Sequence, residues 1–431
     1  MKAVILAAGE GTRLRPLTLT RPKHLISVGE KCVIEYLLDA VKEAGINEIL
    51  IVVHYRAEQL EQFLGDGSKN DLKIEYLQQN EMKGTADAIK TVEPYVNEDF
   101  LLIYGDLLTT SEVIRAVLET HEKMKPTVSM AVVQVKHPEH YGIVKLEDTY
   151  IVDIVEKPKL SEAPTNLANA GVYVLSKEIF EKIRQTPPSP RGELEITDSF
   201  KLLIKEKKQI LAVQIPAKDW FDIGRPWDLL DANKWALSKM TPKVNGKIED
   251  NTHLIGPVTI EDGARIRSGA YIEGPTFIGE ESDIGPNCYI RPYTHIGRKV
   301  HIGNACEIKN SIIMNHTKIG HLSYVGDSII GEECNFGAGT MIANYRFDAK
   351  PVKMMIKNEV MDTGKAKLGV FLGDNVKTGI NATLMPGIKV GNNCWIGPNV
   401  IVYRDLTPNT RIVLKQEIEQ EKLEEETGKN Q

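Results

Sequence analysis

The 431-residue sequence predicts two folds in series: an α/β domain on a mostly parallel sheet over residues 1–235, and an all-β parallel helix of hexapeptide repeats over residues 248–410. Three observations carry this reading. First, short β-rich runs alternate with helical periods from Met1 to about residue 235, beginning VILAA, VIEYLLDAVKEAG, EILIVV, AEQLEQFLG and FLLIYGD, the order of a sheet covered by helices on both faces. Second, an aliphatic residue recurs every six positions through Ile248, Leu254, Ile260, Ile266, Ile272, Ile278, Ile284, Ile290, Ile296, Ile302 and Ile308. Neither 3.6 nor 2 generates that period; three short strands per coil around an aliphatic interior do. Third, Pro226 suits a helix first turn, and Leu229, Leu230, Asn233, Leu237 and Met240 follow at helical spacing, so residues 226–247 form a linking helix region.

Within the repeat the register slips by one near Ile313, resumes at Ile319 and Val325, slips again to Ile330 and Phe336, and returns at Leu372, Leu384, Val390, Ile396 and Val402. Residues 343–367 must loop out. Cys288, Cys306, Cys334 and Cys394 each lie four residues after a ladder aliphatic, a slot for a small buried side chain. With Cys32 they form no CxxC pair, which argues against disulfides and zinc. His295 and His301, six apart in an eighteen-residue coil, fall on different faces and suggest no metal site. Residues 411–431 are charge-dense and read as a solvated helix or frayed end.

Lys and Arg number 53 against 59 Asp and Glu, for a net charge of −6 with no long basic stretch, so nucleic acid is excluded as an expected partner. The first apolar run, Ala3 to Ala8, is too short and too soon followed by Glu10 and Arg13 to be a signal peptide. No run approaches the roughly 18 apolar residues of a membrane helix, so no membrane partner and a cytoplasmic location are expected.

The most specific stretch is LAAGEGTRLRPLTLTRPKHL. Leu14 stands where a dinucleotide fingerprint needs its third Gly, and no GK[ST] follows, so neither that motif nor a Walker A loop is present. Gly9 and Gly11 let the backbone turn tightly at a strand end and bring amides to a triphosphate, while Arg13 and Lys23 add positive charge. Further along come Gln79 and Gly84-Thr85, Tyr104-Gly105-Asp106, Tyr141-Gly142, Glu156-Lys157-Pro158, Asn169-Ala170-Gly171 and Asp222. In this order the elements resemble those of sugar-1-phosphate nucleotidylyltransferases, over the whole first domain. The resemblance implies a Rossmann-like fold in which Gln79, Gly84 and Thr85 meet the base with backbone help from Ala7 and Ala8. It further implies that Gly142, Glu156 and Asn169 hold the sugar, that Asp106 and Asp222 bind Mg²⁺, and that Lys23 and Arg13 are catalytic.

A second constellation lies in the repeat: Arg291, Glu307, Lys309, His321, Tyr324, Gly337-Ala338, Asn344 and Lys350. Singly each is a solenoid rim residue; together their order and spacing resemble the acetyltransferase half of the bifunctional N-acetylglucosamine-1-phosphate uridylyltransferase and glucosamine-1-phosphate acetyltransferase. That resemblance implies a left-handed helix, against the general crossover preference. By the same resemblance His321 is the base with Glu307 orienting its imidazole, Arg291, Lys309 and Lys350 grip the sugar phosphate, and Tyr324 and Asn344 place the amine. Gly337 and Ala338 meet acetyl-CoA, and prisms associate as a homotrimer. The loop after Asn344 is longer than in bacterial enzymes, leaving Lys350 and Lys353 as alternatives, and Ile380 stands where Ser is expected; the architecture and the loop look more like the archaeal versions. The implied partners are UTP or dTTP, sugar 1-phosphates and acetyl-CoA. The competing readings are a monofunctional glucose-1-phosphate uridylyl- or thymidylyltransferase whose solenoid serves oligomerisation or regulation, and a non-enzymatic scaffold.

Overall fold

The structure, a computed structural model, describes residues 1–423. Strand β1 (Ala3–Ala7) is aliphatic throughout and lies at the centre of the first domain, as a strand covered on both faces requires. Next in chain order come the short pair β2 (Ser27–Val28) and β3 (Lys31–Cys32), then helix α1 (Val33–Glu43), β4 (Glu48–Val53), α2 (Ala57–Leu64), β5 (Lys73–Gln78), α3 (Thr85–Lys90), β6 (Phe100–Tyr104) and β7 (Leu107–Thr109). The α1 helix starts where the Cys32 amide donates to Glu35 Oε2 at 2.8 Å, a side-chain cap that satisfies one orphan N–H. After α4 (Ser111–Met124) follow β8 (Val128–Gln134), β9 (Gly142–Glu147), β10 (Tyr150–Glu156), β11 (Leu167–Leu175), α5 (Glu178–Gln185), α6 (Ile196–Lys205), β12 (Ile210–Gln214), β13 (Trp220–Asp222) and α7 (Asp228–Lys239).

Among the described residues the main sheet has nine strands in the order β5-β4-β1-β6-β11-β8-β12-β10-β9. The half from β5 to β6 is parallel, as expected. The other half corrects the expectation of a mostly parallel sheet: β11 runs antiparallel to β6 and β8, and β9 and β10 form an antiparallel hairpin. A two-residue turn returns β10 antiparallel to β9, whereas β11 reaches its partners across long stretches of sequence and β12 lies parallel to β8.

The repeat forms three parallel sheets. Sheet I runs from Lys247–Ile248 to Arg411–Ile412, sheet II from His253–Ile255 to Ile401–Val402, and sheet III from Val258–Ile260 to Lys389–Val390. The ladder residues from Ile260 onward, with the four repeat cysteines, fill one buried core. The outward rows differ from sheet to sheet. On sheet I the row is Arg265, Asp283, His301, Lys318, Asn335 and Lys377, mostly polar. On sheet III it is Phe277, His295, Ile312, Ile329 and Phe371, all buried.

What buries that row is the first domain together with the looped-out segment, which folds as an antiparallel hairpin of Lys353–Ile356 and Glu359–Asp362. Ile312, Ile329 and Phe371 share one apolar cluster with Val352, Met354 and Ile356 of the hairpin, Leu229 and Leu230 of α7, and Leu14 and Leu17 of the Gly-rich stretch. Each domain keeps its own core, and this further core joins them. His295 is part of the seam: stacked on Phe277 with its pKa lowered to about 4 by burial, it donates from Nδ1 to the Gly29 carbonyl at 2.6 Å. Residues 411 and 412 add a last strand to sheet I rather than beginning the frayed tail; residues 424–431 of that tail lie outside the described residues. No helix among the described residues is long and apolar enough to cross a membrane.

Candidate active sites

The C-terminal ends of β1 and β6 open into a cleft of about 380 Å³. Ala8, Gly9, Arg13 and Lys23 line one wall. Gly11 lies behind it with φ +65°, and a Cβ there would meet Thr18 Cγ2 at 3.0 Å and Lys23 Cβ at 3.4 Å, so glycine lets the Lys23 stem pack against the turn. Ala7 is buried in β1 and, like Gly11, does not face the cleft.

Lys23 forms an ion pair with Asp106. The β7–β13 ribbon sets Asp222 opposite Leu107, and the Ile223 amide donates to the Asp106 carbonyl at 3.0 Å, which brings the two carboxyl groups to one end of the cleft. Burial, then the charges of Asp106 and Asp228, push Asp222 up to about 7. Burial acts to raise Asp106 as well, but the charge and hydrogen bond of Lys23 outweigh it and hold Asp106 below the usual carboxylate range. No group of three or more His, Cys, Asp or Glu among the described residues makes a metal cage, so any cation here needs ligands beyond these two carboxylates.

Opposite, Gln79 is buried and its Nε2 donates to Asp87 Oδ2 at 2.8 Å. Gly84 has φ +117°, and a Cβ there would meet the Leu194 carbonyl oxygen at 2.4 Å, so only glycine fits between Gln79 and the 186–194 loop. Thr85 Oγ1 accepts from the Ile196 amide at 3.0 Å. Gly142, Glu156 and Asn169 meet at adjacent strands: a Cβ on Gly142 would lie 2.9 Å from Glu156 Oε2 and 3.8 Å from Asn169 Cβ. The structure thus gathers the remaining nucleotide, sugar and metal candidates of the first domain around one cleft.

Two cations at the cleft were missed. Lys157 Nζ and Arg191 Nη2 lie 3.6 and 3.4 Å from Glu156 Oε1. Lys157 follows Glu156 in the motif already singled out; Arg191 sits in an irregular Pro-rich loop with no periodicity to flag it. His24 is also buried here, both ring nitrogens without a partner, its pKa lowered to about 3 by burial and by the charge of Lys23.

In the solenoid, the corner from sheet II to sheet III collects most of the second constellation. Arg291 Nη1 donates to Glu307 Oε1 at 2.8 Å, and Lys309 Nζ lies 3.1 Å from Asp327 Oδ2. Asn344 Nδ2 donates to Asp327 Oδ2 at 2.6 Å and to the Tyr324 hydroxyl at 3.0 Å, and Asn310 Nδ2 donates to Asp327 Oδ1 at 2.6 Å. Asp327, buried and central to this network, was missed although it stands three residues after Tyr324.

His321 lies elsewhere. It ends a sheet I strand at the preceding corner, paired with Asn304 and exposed, and its carbonyl accepts from the Gly339 amide at 3.3 Å. The turn Gly337-Ala338-Gly339 therefore stacks beside His321, while the sheet II strand Tyr324–Gly326 separates His321 from Asp327. Glu307 accepts from Arg291, which stands one coil earlier on the same face, and no hydrogen bond joins it to His321 among the described residues. Lys350 is exposed on the loop and Lys353 exposed on the hairpin's first strand.

Comparison with known proteins gives matching halves. Residues 2–239 match the Nucleotidyl transferase family, residues 272–379 the GMPPB C-terminal domain, and residues 369–404 the Bacterial transferase hexapeptide (six repeats). The fold is that of a nucleotidyltransferase domain followed by a left-handed β-helix. The chain is 45% identical over 419 residues to the Bifunctional protein GlmU of Methanocaldococcus jannaschii, covering 97% of this chain and 98% of that protein. It is 42% identical over 410 residues to the Bifunctional sugar-1-phosphate nucleotidylyltransferase/acetyltransferase of Sulfurisphaera tokodaii, covering 94% and 98%. The crystal structure of UDP-glucose pyrophosphorylase complexed with UDP-glucose superposes with a TM-score of 0.51 at 30% identity, covering 56% of this chain and 99% of that one.

Proposed function

The chain belongs to the family of bifunctional GlmU proteins and sugar-1-phosphate nucleotidylyltransferase/acetyltransferases, and from that premise we propose what each centre does. The enzyme transfers a uridylyl or thymidylyl group from UTP or dTTP to a sugar 1-phosphate, releasing pyrophosphate. It also transfers acetyl from acetyl-CoA to glucosamine 1-phosphate, and to galactosamine 1-phosphate, in the cytoplasm.

In the first centre the sugar-phosphate oxygen attacks the α-phosphorus in line. The nucleophile is already an anion, so alignment and charge neutralisation carry the reaction rather than a general base. Lys23 bridges the sugar phosphate and the α-phosphate, Arg13 neutralises the pyrophosphate, Gln79 with Gly84 and Thr85 reads the base, and Gly142, Glu156 and Asn169 hold the sugar. Lys157 and Arg191 add charge at the sugar-phosphate end. Asp106 and Asp222 suit Mg²⁺: they are two half-buried carboxylates at one end of the cleft, one pushed up to about 7 by burial and its neighbours' charges, and would hold a hard divalent cation through their oxygens. When bound, Mg²⁺ supplies charge compensation to the phosphates.

In the second centre His321 removes the amine proton as nitrogen attacks the thioester carbon, and the CoA thiolate leaves. Amides of the Gly337-Ala338 turn face the thioester. Arg291, Lys309 and Lys350 hold the phosphate, with Tyr324 and Asn344 on the amine. His321 and the Asp327 corner are separate in one prism, which supports a homotrimer in which a neighbour completes each site.

The single observation that carries the reading is the cleft that sets Lys23, Asp106 and Asp222 facing Gln79 and Glu156. A panel of UTP and dTTP against glucose 1-phosphate and N-acetylglucosamine 1-phosphate, read by pyrophosphate, tests the first activity. Free thiol from acetyl-CoA with glucosamine or galactosamine 1-phosphate tests the second. Pyrophosphate without thiol would leave the solenoid a regulatory or oligomerisation module; neither product would refute both assignments.

A further inference from the structure

The Gly-rich stretch is gripped from two sides before it reaches Lys23. Its own domain holds the backbone: the Tyr55 hydroxyl, Arg56 Nη2 and Gln59 Nε2 donate to the carbonyls of Thr18, Leu19 and Thr20 at 2.7, 2.5 and 3.0 Å. The solenoid holds the side chains. Thr20 Oγ1 and Arg21 Nη2 both donate to Asp374 Oδ2 at 2.6 Å. Glu332 Oε2 lies 3.3 Å from Arg21 Nη2, and Met314 Sδ 2.8 Å from Nη1.

This ion pair is largely out of water, with the Arg21 side chain 12% and that of Asp374 17% exposed, so it is weakly screened. Pro22, at φ −66° and ψ 147°, is the only residue between Arg21 and Lys23, and its ring fixes φ. Little slack separates the anchor from the lysine. Upstream, Leu14 and Leu17 are embedded in the core that also holds Ile312, Ile329 and Phe371 of the solenoid.

We propose that Asp374, acting through Arg21, is a positioning residue of the nucleotidyl-transfer centre, so that the second domain holds Lys23 in register with the phosphates. This rests on the reading of Lys23 as the cation that bridges the phosphates. The physical basis is that reacting groups must be held closely: a displacement of about 1 Å reduces a rate by roughly 100-fold. A Lys23 whose upstream segment has lost its far anchor samples such displacements.

The test uses the full-length protein with Asp374→Asn. Asparagine keeps an oxygen for the Glu332 amide, which donates to Asp374 Oδ1 at 2.8 Å, so the bond between coils survives. It places an NH₂ group where Thr20 and Arg21 need an acceptor. Pyrophosphate and CoA release are measured on one preparation, the acetyl transfer serving as the folding control because its residues lie on the same solenoid. The expected result is a fall in nucleotidyl-transfer kcat of about tenfold or more, with KM for UTP little changed and CoA release intact. Unchanged kcat in Asp374→Asn, or an equal fall of both activities, overturns the proposal. A wild-type enzyme that releases no pyrophosphate would instead refute the assignment of Lys23.

Discussion

With Gln79 proposed to read the base, base selection turns on which way its amide faces. Gln79 Nε2 donates to Asp87 Oδ2 at 2.8 Å, and a carboxylate can only accept, so the amide oxygen is left to the cleft. That oxygen suits the N3–H of uracil or thymine; cytosine offers an unprotonated N3 and needs the NH₂ instead. Flipping the amide would lose a hydrogen bond to a charged group, about 1.5–3 kcal/mol, which makes the flipped state roughly 10- to 150-fold rarer. The further contact of Nε2 with the Gly84 carbonyl, at 3.4 Å, is too long to add much. In Asp87→Asn the partner can both donate and accept, so the two orientations become nearly equal. Half the enzyme then remains competent for UTP, while the CTP-competent fraction rises from the minority to about half. The ratio of kcat/KM for UTP over CTP should fall by about one to two orders of magnitude, nearly all of it through a gain for CTP. Pyrophosphate release at subsaturating nucleotide and a fixed sugar phosphate measures it. A ratio within about twofold of wild type, or a loss for UTP with no gain for CTP, would refute the account of the amide.

Asp222 gives a pH prediction. Its folded pKa of about 7 lies above the ordinary 3.8, so the folded protein binds this proton more tightly than the unfolded chain and loses stability as pH rises from about 4 to 7. A cation on the ionised carboxylate offsets that loss, so Mg²⁺ should raise the thermal midpoint more at pH 8 than at pH 6; equal shifts would count against Asp222 as a ligand. His321→Ala should lower CoA release by about 100- to 10,000-fold while sparing pyrophosphate release, and a folded variant that loses both contradicts the assignment. Gly142→Ala sets a methyl 2.9 Å from Glu156 Oε2 and must push that carboxylate aside. It should raise KM for the sugar phosphate about tenfold and leave that for UTP unchanged, and steady-state kinetics with both substrates varied would show otherwise.

Local regularity decided what could be read in advance. The aliphatic ladder was legible because one inward position per six residues must be apolar, whatever the rest of the protein does. The Gly-rich stretch was legible because tight turns restrict residue type. The antiparallel half of the first sheet was not, since which strands pair among residues 107–214 depends on contacts distant in sequence. The Arg21–Asp374 pair spans 353 positions, and neither residue carries a local sign of the other. One signal was present and unread: the residue before each third ladder position, at Phe277, His295, Ile312, Ile329 and Phe371, is apolar or aromatic where sheet I offers charges. Such a row on an outward face needs a cover, and the first domain and the hairpin supply it.

The interruptions of the period were more informative than the period itself. The corner from sheet II to sheet III keeps a six-residue spacing between ladder positions at Ile272 to Ile278, Ile290 to Ile296 and Leu384 to Val390. At the three corners between these last two it fails: Ile308 to Ile313 and Val325 to Ile330 are each short by one, and Ile342 to Leu372 carries the hairpin insertion. Those corners hold Lys309 and Asn310, then Asp327, then Asn344, the residues that converge on the Asp327 carboxylate. Asn310 and Asp327 turn these tightened corners at φ 44° and 53°, a left-handed conformation that Asn and Asp tolerate better than most residues. A solenoid that only stacked would have no reason to break its rule three times in succession on one edge. His321 shows the limit of that signal, because its own corner, Ile319 to Val325, keeps the regular spacing and an exposed side chain there needs no change of backbone. Spacing marks where the backbone was reshaped to bury a polar network, and a side chain such as the proposed base His321, borne on an unaltered corner, leaves no mark in the period.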